Sequence, residues 1–325
     1  MKLISIVTPC YNEEANVLEM SQKIKSVFKN LPGYKYEHIF IDNKSTDDTA
    51  RILKTIATED KRVKVILNVR NFGPGRSCGH AFLQARGDAV IGLACDFQDP
   101  PELIPEFISL WEKGYKVVFG QKNKSEENKL MFSVRRLYYG IIQLMAETKQ
   151  LTNVTGFGLY DRSVVDYFRM MDDPDPYFRG AVTELGYEIG LINYVQPRRR
   201  AGKSSYNLVR YIGTAITGLV STSKTPLRAS IYLGFIMSLI SLLIAVFYFV
   251  MKLIHWYSFD VGFAPILIGV FFFGSVQLAC IGILGEYIGA ILGRVSKRPL
   301  VVESERINFD INENNIREEP SCGED

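Results

Sequence analysis

Between Ala229 and Gly293 the chain almost loses its charge. Residues 229–251 contain no Asp, Glu, Lys or Arg, and residues 261–293 keep only Glu286. At 1.5 Å per residue the first stretch makes a helix about 35 Å long, enough to cross a hydrocarbon core of about 30 Å. The second exceeds what a span requires, so it is expected to tilt or to continue past the membrane surface. This concentration of apolar residues excludes a purely soluble protein, although 47% hydrophobic and 22% charged residues would pass for one on average. Basic residues stand on either side: Arg198, Arg199, Arg200, Lys203, Arg210, Lys224 and Arg228 before, Arg294, Lys297 and Arg298 after. The loop between carries only Lys252 and His255. By the positive-inside rule the sequence predicts a multi-pass protein of the inner (plasma) membrane with both termini cytoplasmic. The small residues Gly269, Gly274, Gly282, Gly285, Gly289 and Gly293 leave room for a homo-oligomer through the transmembrane helices.

The rest of the 325 residues are ample for a folded domain ahead of the membrane. Residues 3–8, 38–42, 63–67, 89–94 and 116–119 read as buried strands, and residues 14–29, 47–58, 75–85 and 101–113 between them carry apolar residues at helical spacing. Near-continuous apolar strands alternating with helices predict a parallel sheet covered on both faces. Residues 1–7 resemble the start of a signal peptide, but Pro9, Asn12, Glu13 and Glu14 cut the apolar run short, so they read as a strand. The pattern divides the chain into a cytoplasmic domain over 1–205, interfacial amphipathic helices over 206–228, a two-helix transmembrane region over 229–293 and a cytoplasmic tail over 294–325. From about Glu303 that tail is rich in Glu, Asp and Asn, a composition that predicts disorder and no catalytic part.

A net charge of +3 is too small for a nucleic-acid binder, so no nucleic acid is expected as a partner. Five cysteines without a CxxC pair fit a reduced, cytosol-facing protein rather than a zinc site. Ligands of parallel sheets bind beyond the carboxyl ends of the strands, which directs attention to the residues just after each one. The first strand runs into Pro9-Cys10-Tyr11-Asn12-Glu13-Glu14 with no GxGxxG, so the dinucleotide fingerprint is missing where it would occur. The second runs into Asp42-Asn43-Lys44-Ser45-Thr46-Asp47-Asp48-Thr49, where Ser45 or Asp47 can cap the next helix while Asp42 sits at the strand tip. The fourth runs into Asp96-Phe97-Gln98-Asp99-Pro100-Pro101-Glu102. Each motif alone is weak, but together they predict one acidic cleft. Such a cleft accepts a nucleotide phosphate only if a divalent cation bridges them, and hard oxygen ligands select Mg²⁺ or Mn²⁺.

These residues resemble the inverting family 2 glycosyltransferases of the GT-A fold, most closely the branch that includes bactoprenol glucosyltransferases and dolichol-phosphate mannose synthases. Matching elements also include Asn71-Phe72-Gly73, Ala85-Arg86-Gly87-Asp88 and Arg199-Arg200-Ala201-Gly202-Lys203-Ser204-Ser205-Tyr206, so the likeness covers nearly everything up to Pro299. The resemblance implies a Rossmann-like, mostly parallel α/β catalytic domain followed by interfacial and transmembrane helices. It implies a nucleotide-diphosphate sugar donor, with uridine favoured, bound by Pro9, Tyr11, Glu13, Asp42, Ser45 and Asp96. Asp96 would be the metal ligand, with Asp96 and Asp99 as the catalytic carboxylates. The acceptor would be polyprenyl (undecaprenyl) phosphate in the lipid bilayer, its phosphate held by Arg199, Arg200, Lys203 and Ser204, with Lys122 a further candidate by position.

Two departures from the family pattern bear on mechanism. The usual Asp-x-Asp reads Ala94-Cys95-Asp96, which leaves one carboxylate. Many relatives have an Asp and an Arg where this chain has Gly156 and Gly158, so the family's expected base is missing. A hydroxyl nucleophile gains about 10² to 10⁴ from a general base. A lipid phosphate, like other phosphomonoesters with about −1.5 to −2 charge near pH 7, arrives deprotonated. The missing base therefore favours a phosphate acceptor. The alternatives are a transferase to a sugar hydroxyl of a glycolipid or polysaccharide, with Asp161 or Glu184 as the substitute base, and a non-catalytic membrane assembly partner.

Overall fold

Runs of β-branched and aromatic residues extend where the sequence predicts. A computed structural model describes residues 1–122, 154–171, 181–183, 185–197, 225–254, 263–296 and 299–309. Lys2–Cys10 (β1), Tyr34–Asp42 (β2), Val63–Asn68 (β3), Ala89–Gly92 (β4) and Val117–Lys122 (β5) are strands. Val17–Lys29 (α1), Thr49–Glu59 (α2), Pro74–Gln84 (α3) and Ile104–Glu112 (α4) follow the first four, α4 being entered through the 3-10 turn Pro101–Leu103. Then come Val154–Asp161 (β6), Arg162–Met171 (α5), Ile189–Tyr194 (β7), Thr225–Ile254 (α6), Phe263–Val295 (α7) and Glu303–Ile307 (β8).

One eight-stranded sheet runs in the order β7-β5-β6-β4-β1-β2-β3-β8. The pairs β1–β2, β1–β4, β2–β3 and β5–β7 are parallel, as expected of a mostly parallel α/β sheet. β6 runs antiparallel to both β4 and β5. Apolar residues fill both sides of it, a pattern that does not reveal strand direction. Successive strand residues point to opposite faces. Ile4, Ile6 and Phe40 therefore pack with Met20 and Ile24 of α1, Leu53 of α2 and Phe107 and Trp111 of α4. Val7, Ile39 and Ile41 pack on the other face with Ala81 and Phe82 of α3 and Val164, Val165 and Phe168 of α5.

The end of the sheet away from the carboxyl ends of β1, β2 and β4 is tied by a polar corner. Glu37, 4% exposed, accepts hydrogen bonds from Ser5 Oγ (2.5 Å), Lys64 Nζ (2.6 Å) and Arg86 N (2.8 Å). Asp88 accepts from Leu3 N at 2.7 Å, and Arg162 donates to the carbonyls of Ala85 and Gly87. The Ala85-Arg86-Gly87-Asp88 element is thus a structural brace.

The expected disorder from Glu303 onward is corrected by β8. Its backbone pairs antiparallel with the edge strand β3, Ile307 opposite Val65 and Glu305 opposite Leu67. Its charges find partners on the sheet domain: Glu305 with Lys54 and Glu303 with His80, both at 2.5 Å. A composition rich in Glu and Asn hid an edge strand, which needs only one apolar side and a row of backbone partners. Residues 310–325 lie outside the described residues.

α6 and α7 form a separate unit. Leu227–Met251 and Phe272–Gly293 within them are long and apolar enough to cross a membrane. Cys280 Sγ of α7 lies 3.9 Å from the Ser230 carbonyl oxygen of α6. α6 begins at Thr225, so the end of the predicted 206–228 interfacial stretch belongs to this long helix, and 206–224 lie outside the described residues.

Candidate active site

The register of the sheet brings the three carboxylate-bearing strand ends together. β1 lies between β4 and β2, with Cys10 opposite Asp42 and Val7 opposite Gly92. The loops after β1 and β2 are stitched to one another through their own side chains. Asn12 N donates to Ser45 Oγ (2.9 Å), Glu13 N to Thr49 Oγ1 (2.8 Å), and Thr46 N to Asn12 Oδ1 (2.8 Å). Asp47 accepts from Thr49 N at 3.1 Å, so Asp47 rather than Ser45 supports the start of α2. Ser45 instead donates to Asp42, through its N–H (3.0 Å) and through its hydroxyl. Burial raises the Asp42 carboxyl above its usual range, and the Ser45 bonds oppose the rise. Pro9 and Glu13 are half-buried and Tyr11 is exposed at the mouth. Asn16 Nδ2 fixes Glu13 at 2.6 Å.

Three non-glycine residues at these strand ends hold a left-handed backbone: Asn12 (φ 56°), Lys44 (φ 64°) and Phe97 (φ 59°). Such conformations cost on the order of 1–2 kcal/mol each for ordinary side chains. They persist where surrounding contacts over-determine them, as the stitching above does at Asn12 and in the Lys44 turn.

Asn43 was not singled out by sequence reasoning, yet it joins this edge to the Asn71-Phe72-Gly73 loop. Its Oδ1 accepts from Phe72 N (2.9 Å) and Ser77 Oγ (2.8 Å), and its Nδ2 donates to Asn71 Oδ1 (2.9 Å). An asparagine inside a motif of acids gives no sequence signal for such a role.

Asp96 and Asp99 are both buried but differ in their surroundings. Asp96 Oδ1 accepts from Gln98 N at 3.1 Å within its own turn. Asp99 is bound on both oxygens, Oδ2 by Ala94 N (3.3 Å) and Oδ1 by the Tyr194 hydroxyl (3.1 Å). Burial pushes the Asp99 carboxyl up to about 6 against the Ala94 and Tyr194 bonds and the nearby Lys122 charge, with Asp96 adding to the rise. Lys122, at the end of β5, donates to Gln196 Oε1 at 2.8 Å. Arg199, Arg200, Lys203 and Ser204 lie outside the described residues.

Among the described residues no group of three histidines, cysteines, aspartates or glutamates converges as a metal cage. The oxygen donors at the site still fit a hard divalent ion. Mg²⁺ is commonly held by one or two carboxylates with substrate phosphates and water. Asp96, buried in the turn after β4, is a carboxylate of that kind.

Asp161 is excluded as a base. It pairs with Ala89 at the start of β4, the end of that strand away from Asp96. Trp111 Nε1 (2.8 Å), Lys116 Nζ (3.1 Å) and Ser163 N (3.1 Å) and Oγ (2.6 Å) all donate to it. Glu184 lies outside the described residues.

A sequence model of the family described as glycosyl transferase family 2 matches residues 5–168. The chain is 33% identical over 315 residues to CsbB of Bacillus subtilis (strain 168), named as a glycosyltransferase, covering 96% of this chain and 95% of that one. It is 31% identical to the bactoprenol glucosyl transferase of Shigella phage SfII, covering 94% of this chain and 99% of the relative. Among solved structures it is similar to mannosyl-3-phosphoglycerate synthase from Rubrobacter xylanophilus, at 15% identity and a TM-score of 0.47 over 68% of this chain and 73% of that one.

Proposed function

The chain belongs to glycosyl transferase family 2, and from that premise we propose that it transfers a sugar, with inversion, from a nucleotide-diphosphate sugar to polyprenyl phosphate at the cytoplasmic face of a membrane. The observation that carries the acceptor assignment is the backbone where a base would stand. Gly156 holds a left-handed φ of +95°, and a Cβ on Gly158 would run into the Val118 carbonyl oxygen. With Asp161 committed to Trp111, Lys116 and Ser163, neither the family's usual position at Gly156 nor Asp161 supplies a base to a hydroxyl nucleophile. A phosphate oxygen needs none, because it arrives ionised and requires orientation instead. Relatives named bactoprenol glucosyl transferase support the same acceptor.

In this reading Pro9, Tyr11, Glu13, Asp42 and Ser45 receive the nucleoside, and Asp96 faces the diphosphate. A bound Mg²⁺ or Mn²⁺, held by Asp96, supplies positive charge against the leaving group. Arg199, Arg200, Lys203 and Ser204, with Lys122, orient the lipid phosphate by charge-assisted hydrogen bonds. One of its oxygens attacks the anomeric carbon from the side opposite the diphosphate. The bond from that carbon to the new phosphate oxygen forms as the bond to the diphosphate oxygen breaks. No proton has to move at the nucleophile. The two apolar helices anchor the chain in the membrane that carries the acceptor, with both termini cytoplasmic by the distribution of Lys and Arg.

The test is release of nucleoside diphosphate from candidate nucleotide sugars by the full chain, with and without polyprenyl phosphate. Release that depends on polyprenyl phosphate, with sugar on phosphate in the product, is the expected result. Sugar on a hydroxyl would favour the glycolipid or polysaccharide transferase. No turnover with any donor would favour a non-catalytic partner.

A further inference from the structure

Besides the residues at the ends of β1 and β2, the candidate site has two groups far apart in sequence: the turn of Asp96, and the basic run that begins four residues after Tyr194. One side chain connects the strand leading to the second with the loop of the first. Asp99 closes the Asp96 turn by accepting the Ala94 N–H on one oxygen, and on its other oxygen it accepts the hydroxyl of Tyr194, the last residue of β7. Tyr194 is 5% exposed and its ring meets Phe157 edge-on, with centroids 5.5 Å apart. The neighbouring strand is shaped to admit it. A Cβ on Gly120 would lie 2.9 Å from Tyr194 Cε1 and 2.8 Å from Phe157 Cδ1, so only glycine fits beneath these rings. The same strands pair Lys122 with Tyr194, and Lys122 donates to Gln196 just beyond it.

We propose that Tyr194 is a positioning residue whose hydroxyl, through Asp99, fixes the turn that carries Asp96 and couples it to the strand running into the basic motif. The inference rests on the assignment of Asp96 to the diphosphate and of the basic motif to the acceptor. Tyr194 touches no reacting atom in this reading. A phenol suits the task because its ring is clamped by packing while its hydroxyl reaches a buried carboxylate. Phenylalanine would pack equally well and hold nothing.

The test uses the full chain in detergent or nanodiscs. Tyr194→Phe keeps the ring and removes the hydroxyl, so the thermal midpoint should stay within about 2 °C of wild type. Turnover with polyprenyl phosphate should fall about tenfold in kcat at unchanged lipid KM. Asp99→Asn provides the second background. Because Tyr194 acts through Asp99, Tyr194→Phe should cost little further there, whereas a ring that merely stabilises the fold would cost the same in both backgrounds. Binding supplies a readout independent of turnover. UDP or GDP, whichever wild type binds, should bind Tyr194→Phe normally in EDTA and about tenfold more weakly with Mn²⁺. Wild-type kcat together with wild-type Mn²⁺-assisted affinity, or equal costs in the two backgrounds, overturns the proposal. If wild type transfers nothing to polyprenyl phosphate, the acceptor reading fails instead, and the binding comparison still decides for or against Tyr194.

Discussion

Asp96 stands alone where the family motif usually has two carboxylates, so its side chain has no understudy. Asp96→Asn should lower kcat by about 10² to 10³, the loss typical when one preorganised electrostatic contact to a transition state is removed, with nucleotide affinity in EDTA nearly unchanged. Near-normal turnover that still required metal would move the metal site elsewhere. Asp161 makes the opposite case. Its four hydrogen bonds join α4, β6 and the start of α5, so Asp161→Asn should destabilise the domain by about 1–3 kcal/mol, read as a lower denaturation midpoint. The folded fraction should keep its kcat on polyprenyl phosphate, and a selective loss of turnover without loss of stability would restore Asp161 as a base. Asp42, Asp96 and Asp99 were legible in the sequence because carboxylates at strand ends are chemically conspicuous. Tyr194 and Asn43 were not, because their importance lies in partners that only the tertiary fold supplies: Tyr194 meets a residue 95 positions away, and Asn43 meets Phe72 and Ser77 at 29 and 34.

Secondary elements repeat that lesson at larger size. The first four strands and helices could be read because apolar residues such as Val17, Met20, Ile24 and Phe28 recur at helical spacing between continuous apolar runs. β8 could not, since an edge strand of Glu-Ser-Glu-Arg-Ile is composed like a tail, and only the open edge of β3 makes it a strand. Its attachment carries a pH signature. Burial alone would raise the Glu303 carboxyl, but the hydrogen bonds and charges of Arg306 and His80 outweigh it and hold the group down at about 2. A carboxyl lowered on folding contributes stability that is present above its ordinary value of 4.5 and is lost as the pH falls through the lowered one. Between pH 4.5 and about 2, then, the wild-type midpoint should fall more steeply than that of Glu303→Gln, which should be the less stable of the two at neutral pH. Parallel pH profiles for the two proteins would mean that the Glu303 pairing adds nothing to the docking of β8.

At the scale of the whole molecule a glycosyl transferase family 2 domain is followed along the chain by two apolar helices, and Arg199 and Arg200 fall in the sequence between them. A run of basic residues ahead of a membrane span has two distinct uses, holding topology by the positive-inside rule and holding a lipid phosphate. The first acts on the fraction of chains correctly inserted, and the second on the chemistry of those that are. Replacing Arg199 and Arg200 together by Ala separates them. If these side chains bind the acceptor, lipid KM should rise and kcat fall while nucleotide-sugar affinity is retained, each lost charge-assisted bond costing on the order of 1.5–3 kcal/mol, or roughly ten- to a hundredfold in kcat/KM. Tags on both termini should remain reachable only from the cytoplasm, and a label at residues 255–258 only from outside, because Lys203, Arg210, Lys224 and Arg228 still bias the first helix. A pure topology signal would reverse the pattern: some chains would expose their tags outside, and the correctly inserted remainder would show wild-type lipid kinetics. Retained kinetics in the double variant would remove the acceptor role from these arginines and leave Lys122 and Lys203 to hold the phosphate. A loss of lipid affinity at intact topology would assign these arginines to the acceptor rather than to insertion.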